Sequence, residues 1–251
     1  MDYSINGYQN EFEFVKSLNR KKINELNPMF KELIDYLFPG YAEDEEITAW
    51  KNKYLQKTDV FIKVNGKIKG ISIKKGSRNS LHAGMIGQFI DFLTENNVSK
   101  EAIVEYLKYH YADGTTNGKG RVRLSAEEYK QVKQNEIDKL NEELNKKELV
   151  EKAIYQFVIK GTNSDYVIDA LVYGTADDFV WIGVNDIKKI IMSKRENYST
   201  APHIGPLVCQ PVQRCLNRNN KNEKYRHQYQ IKWYSLYDDI IEYLNNKQMK
   251  V

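Results

Sequence analysis

Between Thr58 and Gly76 the sequence reads TDVFIKVNGKIKGISIKKG, with an acid at its head and lysines at its tail. Asn65-Gly66, set between two alternating runs, predicts a tight hairpin, because both central residues of a type I′ turn take positive φ. A two-residue turn sets the register. Val64 then faces Lys67, Ile62 faces Lys69, Val60 faces Ile71, and Asp59 falls opposite Ser72. Alternation gathers Val60, Ile62, Val64, Ile71 and Ile73 on an apolar face and Asp59, Ser72 and Lys74 on the other, with Lys75 turned away. By the diagonal rule Lys74 lies within about 7–8 Å of Asp59. Phe61 shares the polar face, so that face is expected to be covered.

A second acid belongs with this group. Glu11 is followed by Phe14, Val15 and Leu18 at i+3, i+4 and i+7, which puts it on the buried stripe of a helix. Glu13 aligns instead with Lys16, Ser17 and Arg20 on the polar side. Burying even an uncharged polar group costs roughly 2–7 kcal/mol without a partner, and a carboxylate costs more. Asp59 together with a shared cation would satisfy Glu11.

The elements that must position these groups follow from periodicity. Residues 8–37 carry apolar residues at spacings of three and four, with Pro28 marking a break and Pro39-Gly40 the end. The acidic segment YAEDEEITAWKNKYL reads as a second helix. After the hairpin, KKGSRNS leads to Ser80 as the N-cap of a helix from Leu81 to about Glu95. That helix would bury Met85, Ile86, Phe89, Ile90 and Leu93, with His82 on its core side. Ser99 caps a further helix, the Gly/Asn-rich DGTTNGKGR follows, and a charge-rich helical stretch over 125–160 carries the seam Ile137, Leu140 and Leu144. Two alternating strands within 165–184 turn at Thr175–Asp177. A short helix, NDIKKIIMSK, strands near 205–212 and 227–234, and a helix from Ser235 complete the chain.

Composition narrows the class. Forty-one per cent of the 251 residues are hydrophobic, enough for a packed core, so global disorder is excluded. No apolar run approaches the ~20 residues of a membrane span, and the N-terminus lacks a signal peptide's basic start and apolar stretch. A cytoplasmic protein without membrane contact is expected. Cys209 and Cys215 read as free thiols, and the four histidines show no metal-ligand spacing. A formal charge of +4 permits an anionic partner without demanding one.

The order of helix with GYQNEFEFVKSL, Asp59, hairpin, Ser72-Ile73-Lys74 and helix resembles the restriction-endonuclease-like PD-(D/E)XK nuclease superfamily. The likeness covers roughly residues 7–95. It implies an α+β fold, an α/β/α sandwich with a central mixed sheet flanked by helices. In a single domain, residues 7–95 and 165–195 would be the core, 99–160 a helical insertion and 203–235 a β-rich basic region. Asp59 matches the first acid of the signature, Ser72-Ile73-Lys74 its Glu-x-Lys, and Glu11 the acid some members carry on the first helix. Gln88 is similar to a glutamine of recombination-type members, where Phe92 replaces their Tyr. Thr58 stands in place of the signature Pro, and Ser72 in place of the second acid, which removes one metal ligand. The resemblance implies Mg2+- or Mn2+-dependent hydrolysis of DNA phosphodiester bonds, most simply in double-stranded DNA and as a possible homodimer. Asp59, the Ile73 carbonyl and Glu11 would be metal ligands, and Lys74 would position water or stabilise developing charge.

Two regions offer contacts to such a substrate. Lys75 and Arg78 precede the predicted helix, where backbone amides can also hold a phosphate. CQPVQRCLNRNNKNEKYRHQYQIKW sets Arg214, Arg218, Lys221, Lys224 and Arg226 against the single acid Glu223. Arg and Gln213 suit base edges and Lys suits phosphates. Two other readings compete: the same fold binding DNA without cutting it, and an α+β interaction protein using its 125–160 helix.

Overall fold

The computed structural model describes residues 3–54, 56–77, 79–161, 164–196, 200–214 and 223–249. The Asn65-Gly66 turn forms with φ of 42° and 82°. It joins β2 (Val60–Val64) to β3 (Lys67–Lys74) in the expected register, Val64 opposite Lys67, Ile62 opposite Lys69 and Val60 opposite Ile71. The chain divides into two units.

The first unit comprises Met1–Asn79, Val158–Ile190 and Leu236–Val251. Its sheet runs in the order β1-β2-β3-β5-β6, with β1 (Ile47–Lys51), β5 (Ala170–Thr175) and β6 (Asp178–Gly183) around the hairpin. The β3–β5 pair is parallel and the others are antiparallel. α1 (Tyr3–Leu18) and α2 (Pro28–Leu37) contribute Phe14, Leu18, Phe30, Leu33 and Ile34 to the core formed with Val60, Ile62, Val64, Ile71 and Val172. Phe14, Phe30 and Phe179 meet with ring centroids 4.9–5.5 Å apart. The break at Pro28 is real: Asn27 caps α2 by accepting the Phe30 amide at 3.0 Å, and Pro28 occupies the first turn, where its missing N–H costs nothing.

The acidic segment expected as a helix is corrected by β1. Ile47 and Ala49 point into the core while Thr48 and Trp50 point out, a period of two that pairs the whole strand with β2.

The second unit comprises Ser80–Phe157 and Ile191–Ser235. Its antiparallel sheet runs β4-β9-β8-β7, with β4 (Ser80–Met85), β7 (His203–Ile204), β8 (Leu207–Pro211) and β9 (Gln228–Trp233). β4 corrects the helix expected from Leu81. Residues 80–85 pair with β9, Met85 opposite Gln228, and the helix α3 begins only at Ile86 and ends at Glu95. Ser80 therefore caps nothing, and Met85 is exposed rather than in the core. Helices α4 (Lys100–Tyr111), α5 (Ala126–Leu144) and α6 (Lys147–Ala153) follow. Ser99 caps α4 and Ser125 forms a reciprocal cap with Glu128 on α5. Ile137, Leu140 and Leu144 are buried as the seam requires. Cys209 is buried, which pushes its thiol up and keeps it unreactive. Helices α7 (Val184–Ser193) and α8 (Leu236–Gln248) follow β6 and β9. Among the described residues no helix is long and apolar enough to cross a membrane.

Candidate functional site

Asp59 is held in the sheet one residue before β2. Its N–H donates to the Ile71 carbonyl and its own carbonyl accepts the Asn52 amide, each at 2.9 Å. The loop leading to it is tied by the Asn52 side chain, which accepts the Tyr54 amide and donates to Gln56 and to the Thr58 carbonyl, each at 3.0 Å. The backbone thus aims the Asp59 carboxylate at β3. There Oδ2 accepts from the Ile73 amide at 2.6 Å, from Ser72 Oγ at 2.9 Å and from Lys74 Nζ at 3.4 Å. All three bonds go to one oxygen, and Oδ1 takes none of them. Lys74 Nζ also donates to the Ile73 carbonyl at 3.0 Å. The Asp59 and Lys74 side chains are 19% and 17% exposed, so the pair is mostly shielded yet reachable from solvent.

Glu11, on the stripe of α1 that carries Phe14 and Leu18, is brought into the same electrostatic neighbourhood. Burial raises its carboxyl above the usual range; a hydrogen bond from Lys51 opposes this, and the negative charge of Asp59 adds to it. Lys51 Nζ lies 2.6 Å from Glu11 Oε2 and 3.3 Å from the centroid of the Tyr8 ring. Lys57, wholly buried, is held well below the usual lysine range chiefly by burial and then by the Lys74 charge, with Asp59 opposing. Sequence reasoning missed both lysines. Lys51 ends the strand misread as a helix, and Lys57 sits in a polar loop with no periodicity to mark it.

The donors gathered here are oxygens: two carboxylates and the Ile73 carbonyl. A hard cation takes such ligands and keeps several waters. Among the described residues no cluster of three His, Cys, Asp or Glu that could hold a metal ion occurs, and serine stands at position 72.

The expected nucleic-acid contacts separate. Lys75 is exposed just beyond β3, Gln213 is exposed after β8, and Lys224 is exposed with its ammonium 4.9 Å from the Tyr225 ring centroid. Arg78, Arg218 and Lys221 lie outside the described residues. Arg214 and Arg226, expected at the DNA, spend their guanidinium groups inside the protein. Arg226 is buried and donates to Asp113 and the Gly120 carbonyl, each at 2.8 Å, and to Glu223 at 2.5 Å. Arg214 donates to the Tyr109 carbonyl at 2.5 Å with its guanidinium 4.7 Å from that residue's ring centroid. Both bind partners about a hundred residues away, which local charge counting does not reveal. His82 lies on β4, not on a helix, with its ring against Phe157 and Tyr229. Gln88 accepts the Met85 amide at 3.0 Å and so caps α3, in which Phe92 is buried.

A mixed sheet flanked by helices, built around a central hairpin with a parallel neighbour, makes this a restriction-endonuclease-like α+β fold. The particular likeness is to a solved structure of restriction endonuclease MspI in complex with its cognate DNA. The two match with a TM-score of 0.56 over 92% of this chain and 93% of that one, at 13% sequence identity. At that identity the likeness is one of fold. No family model matches the sequence, and no curated protein does.

Proposed function

We propose that the protein is a metal-dependent endonuclease that hydrolyses DNA phosphodiester bonds, of restriction or genome-defence type. The observation that carries this reading is the convergence of Ser72, the Ile73 amide and Lys74 on one oxygen of Asp59, with Glu11 in electrostatic reach. The fold neighbour's complex with its cognate DNA supports the substrate class, and exposed Lys75, Lys224 and Gln213 are available to a polyanion.

Asp59, the Ile73 carbonyl and Glu11 would hold a magnesium or manganese ion, which when bound supplies an acidified water and neutralises charge on the phosphate. Ser72 and the Ile73 amide fix the Asp59 carboxylate through Oδ2, which leaves Oδ1 for a ligand. Lys74, 3.4 Å from Asp59, can donate a hydrogen bond to a phosphate oxygen as negative charge develops there. The low exposure of these groups strengthens each electrostatic contact. Lys51 sets a positive charge against Glu11 and opposes the burial that raises its carboxyl.

The second reading, the same fold binding DNA without cutting, is favoured by Ser72 alone. Incubation with supercoiled plasmid decides between them. Nicking that needs magnesium or manganese, stops with EDTA and disappears in Asp59→Ala supports the endonuclease. Binding without any nicking selects the second reading.

A further inference from the structure

On the face of the sheet that carries Asp59 and Lys74, the first unit holds an aromatic pocket of ≈ 320 Å³ that adjoins the site through Lys51, the partner of Glu11. That volume is at the lower end of the range for small-ligand sites. Its floor is Phe61, two residues beyond Asp59 on β2 and therefore about 7 Å along the same face. Trp50, directly opposite Phe61 in the β1–β2 register, stacks on it with centroids 5.6 Å apart and planes 26° apart. Tyr166 meets Phe61 edge-on at 5.1 Å. Phe61 is buried, but Trp50 is 36%, Tyr166 53% and Tyr54 75% exposed, so three large rings around one concavity remain in water. Lys51, Lys53 and Asp165 are the charged residues of its lining.

We infer that this pocket receives one unpaired or extruded nucleobase of the bound strand. The inference rests on the nuclease reading and deepens it. Several rings around a small concavity suit a planar heteroaromatic guest, since every base has a π-face for an aromatic side chain to stack on. The carboxylate of Asp165 offers an acceptor for an exocyclic amino group, which cytosine, adenine and guanine carry and thymine lacks, and Lys53 offers a cation to the adjoining backbone. The position fits as well. A strand with its phosphate at Lys74 passes over the same sheet face, and Phe61 lies next to Asp59 on it. Extrusion costs least where a base is already unpaired, so such DNA is the sensitive probe.

The test is binding at low salt in EDTA, so that no cleavage occurs. A duplex with a single unpaired cytosine is compared with the same duplex carrying an abasic residue at that position. The unpaired cytosine should bind roughly fivefold to a hundredfold more tightly, the range of one base–aromatic stack. Trp50→Ala and Tyr166→Ala should each bring the ratio of the two affinities toward one, and Trp50→Phe should keep most of it. Both rings are partly in solvent, and neither belongs to the core under α1, so the variants should fold. Equal affinities in the wild type, or a ratio that survives both alanine variants, overturns the pocket assignment and leaves the nuclease reading standing. No binding of either duplex overturns both.

Discussion

Ser72 donates its hydroxyl to Asp59 Oδ2 at 2.9 Å, sharing that oxygen with the Ile73 amide. The side chain is fully buried, so the position is one where a second carboxylate would face Asp59 without water between them. Ser72→Glu is therefore expected to lower the melting temperature in EDTA through like-charge repulsion. Magnesium should restore more of it than in the wild type, because the variant gains an oxygen ligand. Thermal unfolding with and without metal checks this, and an equal magnesium response in both proteins would count against a metal between Asp59 and position 72.

Asp59→Ala and Lys74→Ala should each reduce plasmid nicking by about 10²-fold or more, since one removes a metal ligand and the other a charge stabiliser. Lys75→Ala should be mild by comparison, because that side chain is exposed beyond the end of β3. Comparable losses at Lys74 and Lys75 would contradict the facing seen in the hairpin.

Arg226 and Lys224 should behave oppositely despite lying two residues apart. Arg226 forms a buried pair with Asp113, whose side chain is wholly inaccessible. Arg226→Ala removes the counter-charge of that carboxylate, which keeps hydrogen bonds from Thr115 and the Gly120 amide, and should cost up to about 3–5 kcal/mol in urea unfolding. Lys224→Ala should leave stability unchanged. If Lys224 contacts a phosphate, its loss should flatten the logarithmic salt dependence of DNA binding by ~0.9. A stable Arg226→Ala protein with altered base preference would return Arg226 to the DNA.

His110 predicts a pH response. Its Nε2 lies 3.1 Å from the Arg226 carbonyl and its Nδ1 has no hydrogen-bond partner in a buried site. Burial, aided by the nearby charges of Arg123 and Arg214, lowers the imidazole from 6.5 to about 3, although the bond to the carbonyl opposes the shift. The unfolded chain takes up this proton below pH 6.5, whereas the folded one stays neutral until about 3. His110 therefore withdraws stability as pH falls through that window, by up to roughly 1.4 kcal/mol per unit. Unfolding free energies measured across the window should fall more steeply for the wild type than for His110→Gln.

The hairpin and the residues it brings together were legible because they are local. Asn65-Gly66 dictates a turn through the φ its residues can adopt, the turn dictates the register, and the register brings Asp59, Ser72 and Lys74 together. Helical spacing likewise placed Glu11 on the stripe that buries Phe14 and Leu18, and the packing of α1 on the sheet brings it within the influence of Asp59. Ser99 announced its helix because a cap satisfies amides only three residues away.

What the sequence left open depends on partners distant along the chain. Residues 80–85 became a strand because β9, more than 140 residues on, supplies their hydrogen bonds, and residues 47–51 because β2 does. The parallel β3–β5 pair joins segments about a hundred residues apart, so no turn signal marks it. The same reason removed Arg214 and Arg226 from the basic surface and gave Glu11 its lysine. A charge run shows how many cations a segment has, but only the folded chain decides which of them meet Asp113, Tyr109 or Glu11 first and which are left for an anionic partner.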